Sequence, residues 1–435
     1  MSITPSQVLR AAADTVTALR QRTDEFIAGP PDPAADAELP PGLSARDART
    51  GRKMMWLDGL VTNISESFVL NFVNPYALAL GATNVQVGWL SALTNLAGAL
   101  GQLPGARLDE RGISRKLVVM VCGGGIARLL LIFIALVPLI FGGGTAIYAF
   151  IALIALRSFL NNLGVPAWSA LVADIAPASI RGRYFASRNI ALAIAALLFT
   201  PLAGRLAESL GLPLGYQANF LLAGLIGFGA TAIFARIPEP PRQRPAAAEA
   251  TTGHSPWTAL RSHPQFAWFA AIAFIWNLGI MVAGPFFSVY LVRNLGASPT
   301  QIGLLAAINS FAAIFGQRLW GRLTDRRGPE WVVLVAGWSI PLIPVLYALV
   351  PNPWFLLPVE ALSGFAWAGY GLANFNLLLD LTPLEQRARY IALYQIAVFT
   401  AAFIGPLVGS ALANSVGIVG LFWISAAGRV VASLI

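Results

Sequence analysis

The chain has 435 residues, of which 57% are hydrophobic and only 11% charged. Soluble domains are about a quarter charged, so this balance excludes a soluble enzyme and a disordered chain and points to a polytopic helical membrane protein. The net charge of +9 sits in short loops between apolar runs rather than on one basic face, which excludes a nucleic-acid-binding module.

Residues 1–53 read as an N-terminal tail. Its basic and acidic groups balance, it carries Pro30-Pro31-Asp32-Pro33 and Pro40-Pro41, and it lacks the apolar stretch of a secretory signal. Val8, Leu9, Ala12, Val16 and Leu19 share one helical face, which suits either a short helix lying on a membrane or a solvated tail.

Twelve apolar segments follow, each near the ~20 residues that a bilayer span needs. The first six are 56–80, 86–107, 116–140, 145–173, 183–208 and 216–236. The second six are 265–292, 301–322, 331–349, 354–380, 388–412 and 416–434. Breakers such as Gly142-Gly143-Gly144, Gly211-Leu212-Pro213 and Pro351-Asn352-Pro353 lie between them. The expected organisation is a cytoplasmic tail (1–53), a six-helix bundle (54–236), a Pro-rich cytoplasmic linker (237–262) and a second six-helix bundle (263–435).

Basic residues crowd one side of this topology. Arg107, Arg111, Arg115 and Lys116 follow span 2; Arg181, Arg183 and Arg188 follow span 4; Arg318, Arg322, Arg326 and Arg327 follow span 8; Arg387 and Arg389 follow span 10. The opposite side receives Arg205 and Arg293. The positive-inside rule then places both termini in the cytoplasm.

Metal and nucleotide chemistry find no foothold. Cys122 is the sole cysteine, and His254 and His263 both fall in the linker. Thiolate zinc sites and histidine clusters are therefore excluded. Neither Lys53 nor Lys116 has the Gly-Lys-Ser/Thr context of a phosphate loop. No nucleophile–base motif stands out, so neither an enzyme nor a cofactor is expected.

The chain repeats itself. At one fixed offset, Gly81-Ala82, Gly88, Gly101-Gln102 and Arg107-Leu108 match Gly296-Ala297, Gly303, Gly316-Gln317 and Arg322-Leu323. One residue out of step, Asp109, Arg111 and Gly112 match Asp325, Arg327 and Gly328. A second run, Asp174, Pro177, Arg181, Arg183 and Tyr184, matches Asp380, Pro383, Arg387, Arg389 and Tyr390. Six spans per half is an even number, so both halves run in the same direction, an arrangement suited to rocking about a midplane site.

The loop after span 2, Gly101-Gln102-Leu103-Pro104-Gly105-Ala106-Arg107-Leu108-Asp109-Glu110-Arg111-Gly112-Ile113-Ser114-Arg115-Lys116, resembles the signature of the major facilitator superfamily, with one residue fewer between the first Arg and Asp. The second copy, Gly316 to Gly328, restores that spacing. The resemblance covers residues ~54–435. It implies an all-α fold of twelve transmembrane helices in two pseudo-symmetric six-helix bundles, alternating access, and a cavity lined by spans 1, 4, 7 and 10. It also implies that the loops latch the outward-facing state through Gly101, Gly105, Arg107, Asp109, Arg111 and Gly112, their copies Gly316, Arg322, Asp325, Arg327 and Gly328, and the pairs Asp174, Arg181, Arg183 and Asp380, Arg387, Arg389.

Ionisable groups inside a span are costly and mark function. Span 1 carries Asp58, Thr62 and Glu66 on one helical face beside a stripe of Asn63, Ser67, Asn71 and Asn74. Glu66 lies about 15 Å into the span at 1.5 Å per residue, near mid-bilayer. Asp58, near the inner surface, either joins that stripe or caps the helix. Span 4 carries Arg157, Asn161, Gly164 and Trp168; the family pattern Arg-x-x-Gln-Gly keeps its Arg here but has Leu160-Asn161 in place of Gln-Gly. Span 10 carries Glu360, Ser363, Trp367, Tyr370 and Asn374, and span 7 adds Trp276, Asn277 and Ser288. Proton coupling is expected at Glu66, then Glu360, with Arg157 as partner and Asp58 near the mouth; a static Glu66–Arg157 pair is the bland alternative. The substrate cavity is expected at Thr62, Asn63, Asn161, Trp168, Asn277, Ser363, Trp367, Tyr370 and Asn374. Arg128 suits neutralising a carboxylate or an anion, and Arg429 suits reaching the membrane surface.

Exporters of the resembled family often carry Gly-Pro-x-x-Gly in span 5. This chain has Thr200-Pro201-Leu202-Ala203-Gly204 there and the fuller Gly405-Pro406-Leu407-Val408-Gly409 in span 11. The resulting expectation is a monomeric inner-membrane transporter that expels a lipophilic or amphipathic small molecule against protons. Uptake of a sugar or organic acid, and a non-transporting sensor, are the rival readings.

Overall fold

A computed structural model describes residues 17, 21–29, 32–240, 264–382 and 387–434. A short α1 (Pro33–Ala37) is followed by α2 (Ala45–Ser67), α3 (Val73–Ala79), α4 (Asn84–Glu110) and α5 (Arg115–Val118). A π-helical segment, Val119–Ile126, leads into α6 (Ala127–Ile140), and α7 (Gly143–Ile175), α8 (Ala178–Ser209) and α9 (Leu214–Phe234) complete the first half. The second half comprises α10 (Pro264–Ala283), α11 (Phe286–Arg293), α12 (Pro299–Arg327), α13 (Pro329–Ser339), α14 (Leu342–Leu349), α15 (Leu356–Asp380), α16 (Arg387–Ser415) and α17 (Gly417–Leu434).

Among the described residues, nine helical stretches are long and apolar enough by themselves to cross a membrane. The expected spans outside that set are the first, second and tenth. Spans 1 and 10 are the ones that carry Glu66 and Glu360. Helices nevertheless run through all twelve expected spans. Large apolar side chains such as Leu103, Leu139, Leu198, Leu225, Phe315 and Ile396 are exposed on helices. A soluble protein avoids such patches, and a lipid phase requires them. The chain is a multi-pass membrane protein.

Prolines account for two of the helix breaks. Pro285 precedes α11. Pro341 and Pro344 flank the gap between α13 and α14 and the first turn beyond it, and Pro344 lacks the N–H that would otherwise bond the Ile340 carbonyl. Segments expected as tail are part of the folded unit: α2 starts at Ala45 under a Ser44 cap, Arg52 is buried and donates to the carbonyls of Ala28 (2.8 Å) and Ile175 (3.0 Å), and Lys53 pairs with Asp24 at 2.7 Å. Of the face expected at Val8 to Leu19, all five residues lie outside the described ones.

The sequence repeat is also a structural one. Thr83 and Gln86 form a capping box at the start of α4, and Ser298 and Gln301 form the same box at the start of α12. The signature glycines let helices approach closely. The Phe159 and Leu163 carbonyls of α7 occupy the space where Gly101 and Gly105 would carry a Cβ, and Gly316 lies close, though less tightly, against Phe365 of α15.

Among the described residues, hydrogen bonds between the halves run from one face, at Asn84 and Arg293, to mid-helix, where Asn95 donates to the Ala402 carbonyl at 3.3 Å. The largest cluster of buried apolar residues runs through both, from Phe72, Tyr76 and Phe220 to Phe286, Tyr347 and Phe422. Around it Asn74 Nδ2 donates to Ser288 Oγ (3.1 Å), Asn84 to Asn414 (3.2 Å), Arg293 to Asn84 (2.8 Å), and Ser298 to Glu208 (2.9 Å). At the opposite face, which carries the signature loops, the apolar clusters around Met55 and Tyr184 and around Phe266 and Tyr390 each stay within one half. The structure is therefore closed at the face away from the signature loops.

Candidate functional site

Glu66, on the last turn of α2, anchors a buried ion network. Arg128 Nη1 donates to Glu66 Oε1 at 2.9 Å, and Arg157 Nη2 donates to the same oxygen. Arg128 also reaches Ser65 Oγ (3.4 Å) and Thr62 Oγ1 (3.3 Å). Both arginines are over nine-tenths buried. An unpaired charge at that depth would cost several kcal/mol, so three groups sharing one site is the arrangement burial demands. Packing brings Arg128 there from span 3: Gly227 of α9 lies against its stem, where a Cβ would collide with it.

Two cavities flank this network. One, of about 380 Å³, is lined by Glu66, Asn74, Thr94, Asn95, Arg157 and Asn161 among others. The other, of about 240 Å³, is lined by Asp58, Thr62, Arg128, Asn161, Trp168 and Arg188 among others, and by four residues of the π-helical segment. Asn161 lines both. Asn63 is half-buried beside Thr62.

Arg188, expected among the basic residues at the inner end of span 5 (183–208), belongs to this site. It lies inside α8, with its guanidinium 5.2 Å from the centre of the Trp168 ring. The signal available in the sequence was the start of span 5 by Tyr184 and Phe185, which extends the helix past Arg188.

Glu360 sits in a different environment. Its carboxylate accepts from Asn309 Nδ2 at 2.7 Å and from the Tyr347 hydroxyl. It has no cationic partner among the described residues. The other span-10 residues lie further along α15: Ser363 is buried, Trp367 meets Tyr370 edge-on at 5.9 Å, Trp276 stacks on Tyr370 at 5.1 Å, and Asn374 donates to the Tyr394 hydroxyl at 2.8 Å. Asn277 bonds back to Ala273 of its own helix at 2.8 Å. Asn309 and Tyr347 escaped the sequence reading because nothing local marks an Asn or Tyr as the partner of a carboxylate on another helix.

Arg429 does not reach the surface as expected. It is 2% exposed and donates to the Ile340 carbonyl at 3.3 Å. Pro344 leaves that carbonyl short of its helical partner, and close contact between Gly279 and Gly428 brings the helices together around it.

At the signature loops, the arginine that bridges is Arg115. It binds Asp109 at 2.8 Å and Asp174 at 2.5 Å, joining the ends of α4 and α7 to the start of α5, while Glu239 accepts from Ser114 (2.6 Å) and the Arg115 amide (2.7 Å). Arg107, Arg111 and Arg183 are exposed, and Arg181 caps α7 through the Ala176 carbonyl at 3.0 Å. Gly112 and Gly328 take positive φ (77° and 85°), which suits glycine at those turns. In the second copy Arg322, Asp325 and Asp380 are exposed, and Arg327 lies 4.5 Å from the centre of the Trp331 ring. The side chains of Arg387 and Arg389 lie outside the described residues. Among the described residues, no group of three or more metal-ligating side chains assembles.

Known proteins match over nearly the whole chain. The model of the Major Facilitator Superfamily matches residues 56–283 and 272–435. The multidrug resistance protein MdtG of Serratia proteamaculans is 25% identical over 382 residues, covering 85% of this chain and 89% of that protein. The probable galactarate/D-glucarate transporter GudP of Bacillus subtilis is 22% identical over 375 residues, covering 78% and 79%. The crystal structure of a mutant of the nucleoside transporter NupG shares the fold with a TM-score of 0.72 at 14% identity, covering 88% of this chain and 97% of that one. Signature loops, duplicated halves and family match agree: this chain belongs to the major facilitator superfamily and is a transporter of small molecules, not an enzyme.

Proposed function

We propose that this transporter is a monomeric proton antiporter that expels lipophilic or amphipathic compounds across the cell inner or plasma membrane. The bundles 54–236 and 263–435 rock about the midplane, with the tail, the linker and both termini in the cytoplasm. The observation that carries the reading is the single carboxylate of Glu66, shared by Arg128 and Arg157 between two cavities. A buried carboxylate stays ionised while guanidiniums face it and takes up a proton when they withdraw. A shift of α2 against α7 within the first bundle, coupled to the rocking, would change which state is favoured, and so tie proton uptake to the side that is open. Glu360, held by neutral donors, is the second candidate carrier. Aromatic side chains at Trp276, Trp367 and Tyr370 suit an apolar substrate surface. Similarity to the multidrug resistance protein MdtG supports export.

The test is accumulation of a fluorescent lipophilic cation in cells expressing the chain, with and without a protonophore. Expression should lower accumulation, and both the protonophore and Glu66→Gln should restore it to the empty-vector level. Accumulation equal to empty-vector cells throughout would overturn export of that class. A second reading, movement of an organic acid, is favoured by the clustered arginines and by similarity to the galactarate/D-glucarate transporter. Saturable, Arg157-dependent uptake of a labelled sugar acid would select it.

A further inference from the structure

The five charged side chains around the smaller cavity and the Glu66 network do not balance. Arg157, Glu66, Arg128, Asp58 and Arg188 alternate in sign, with Asp58 in the field of both Arg128 and Arg188. Three guanidiniums face two carboxylates. Arg157 and Arg128 spend their charge on Glu66. Arg188 has Asp58 as its nearby opposite charge, yet among the described residues it makes no hydrogen bond and no ion pair, and its buried Nε lacks a partner.

Its surroundings hold it in place all the same. One side of the guanidinium faces the Trp168 ring, and Gly59 presses on it so closely that a Cβ there would lie 2.6–2.9 Å from Nε, Nη2 and Cζ. The cavity it lines also carries the Thr62 and Thr231 hydroxyls and the Asn161 amide. A half-buried cation that is positioned but has no hydrogen-bond partner, beside a cavity carrying these polar groups, calls for an anion.

We propose that this cavity within the first half of the chain is an oxyanion-binding site, with Arg188 as its principal ligand and Asp58 as a built-in competitor. Its volume is about 240 Å³. It lies below the ~300–1,000 Å³ of drug-sized pockets. It therefore takes a carboxylate or phosphate group and not a whole amphipathic drug. Planar, forked guanidinium donors suit either group. The site does not depend on the export reading, because occupancy is an equilibrium property that needs no gradient.

The experiment is calorimetric titration of the purified full-length chain in nanodiscs, with inorganic phosphate in one arm and benzoate in the other. At least one of them should bind. Binding by phosphate alone identifies a free-ion site, and binding by benzoate identifies a site for the head of an organic acid. Arg188→Gln should weaken the bound anion roughly tenfold or more. Gly59→Ala, which displaces only the flexible end of Arg188, should weaken it in the same direction. Asp58→Asn removes the competing charge and should tighten binding several-fold; this gain is one that misfolding does not mimic. Absence of binding by both anions, equal binding by Arg188→Gln, or weaker binding by Asp58→Asn would each overturn the proposal. Failure of drug export with anion binding intact would leave the site standing and remove only the export reading.

Discussion

Glu66 shows how a buried charge is managed one residue at a time. It shares one carboxylate oxygen between two guanidiniums, so removing Glu66 strands two positive charges at once. Removing one member of a buried ionic cluster typically costs about 3–5 kcal/mol, whereas replacing the members together by apolar groups is often neutral. Glu66→Gln should accordingly lower the thermal midpoint of the purified protein well below that of the double variant Glu66→Gln/Arg157→Met. Equal midpoints for the two would mean that the cluster is solvated rather than buried. Arg115 is a contrasting case. Its side chain and those of Asp109 and Asp174 remain 21–24% exposed, and half-exposed pairs are worth at most about 1 kcal/mol. Arg115→Ala should therefore shift the midpoint little while impairing transport, since it unties α4, α5 and α7 at the signature loop. A large fall in midpoint with transport intact would assign Arg115 to stability alone.

At the scale of elements, helix approach depends on where glycine replaces a side chain. Gly105 of α4 sits where the Leu163 carbonyl of α7 occupies the Cβ position, whereas Gly371 of α15 meets nothing within 4 Å. Gly105→Ala should destabilise by about 1–3 kcal/mol, because rigid backbone must shift. Gly371→Ala should be neutral or gain up to ~1 kcal/mol, as alanine favours helix. Chemical denaturation of the two variants in mixed micelles checks the contrast; similar effects would show that α4 and α7 relax freely. Span 3 has a different element-level feature. Its π-helical segment lies between Arg115 at the signature loop and Arg128 in the Glu66 network, so one helix touches both. π-turns recur at functional positions, and this one lines the smaller cavity.

For the molecule as a whole, the decisive feature is that, among the described residues, the halves share an apolar core towards one face and hold separate apolar clusters at the other. Asn84 of α4 and Asn414 of α16 hydrogen-bond across the joined face at 3.2 Å. In a Cys122→Ser background, the pair Asn84→Cys/Asn414→Cys should cross-link with a short bifunctional reagent and halt transport, and a reagent cleavable by reductant should let activity return. Full activity in the cross-linked protein would mean that this face need not open. Duplication explains why the contacts come in related sets: Gly88 packs on the Pro406 carbonyl and Ser410, and its copy Gly303 packs on Thr200 and Pro201.

Local pattern was enough to determine class, number of spans, duplication and the presence of a carboxylate, Glu66, inside span 1. Apolar length and helical spacing are properties of consecutive residues, and a carboxylate inside a span declares itself by its cost. The pairing of Asp109 with Arg115, the turn of Arg188 into a cavity, the neutral donors around Glu360 and the burial of Arg429 were decided only in three dimensions. In each case the partner comes from another helix or from a different turn. Such partners depend on how closely small residues let helices approach and on which carbonyls proline deprives of their i+4 donor. Spacing along one helix says which residues share a face; only packing says what that face meets.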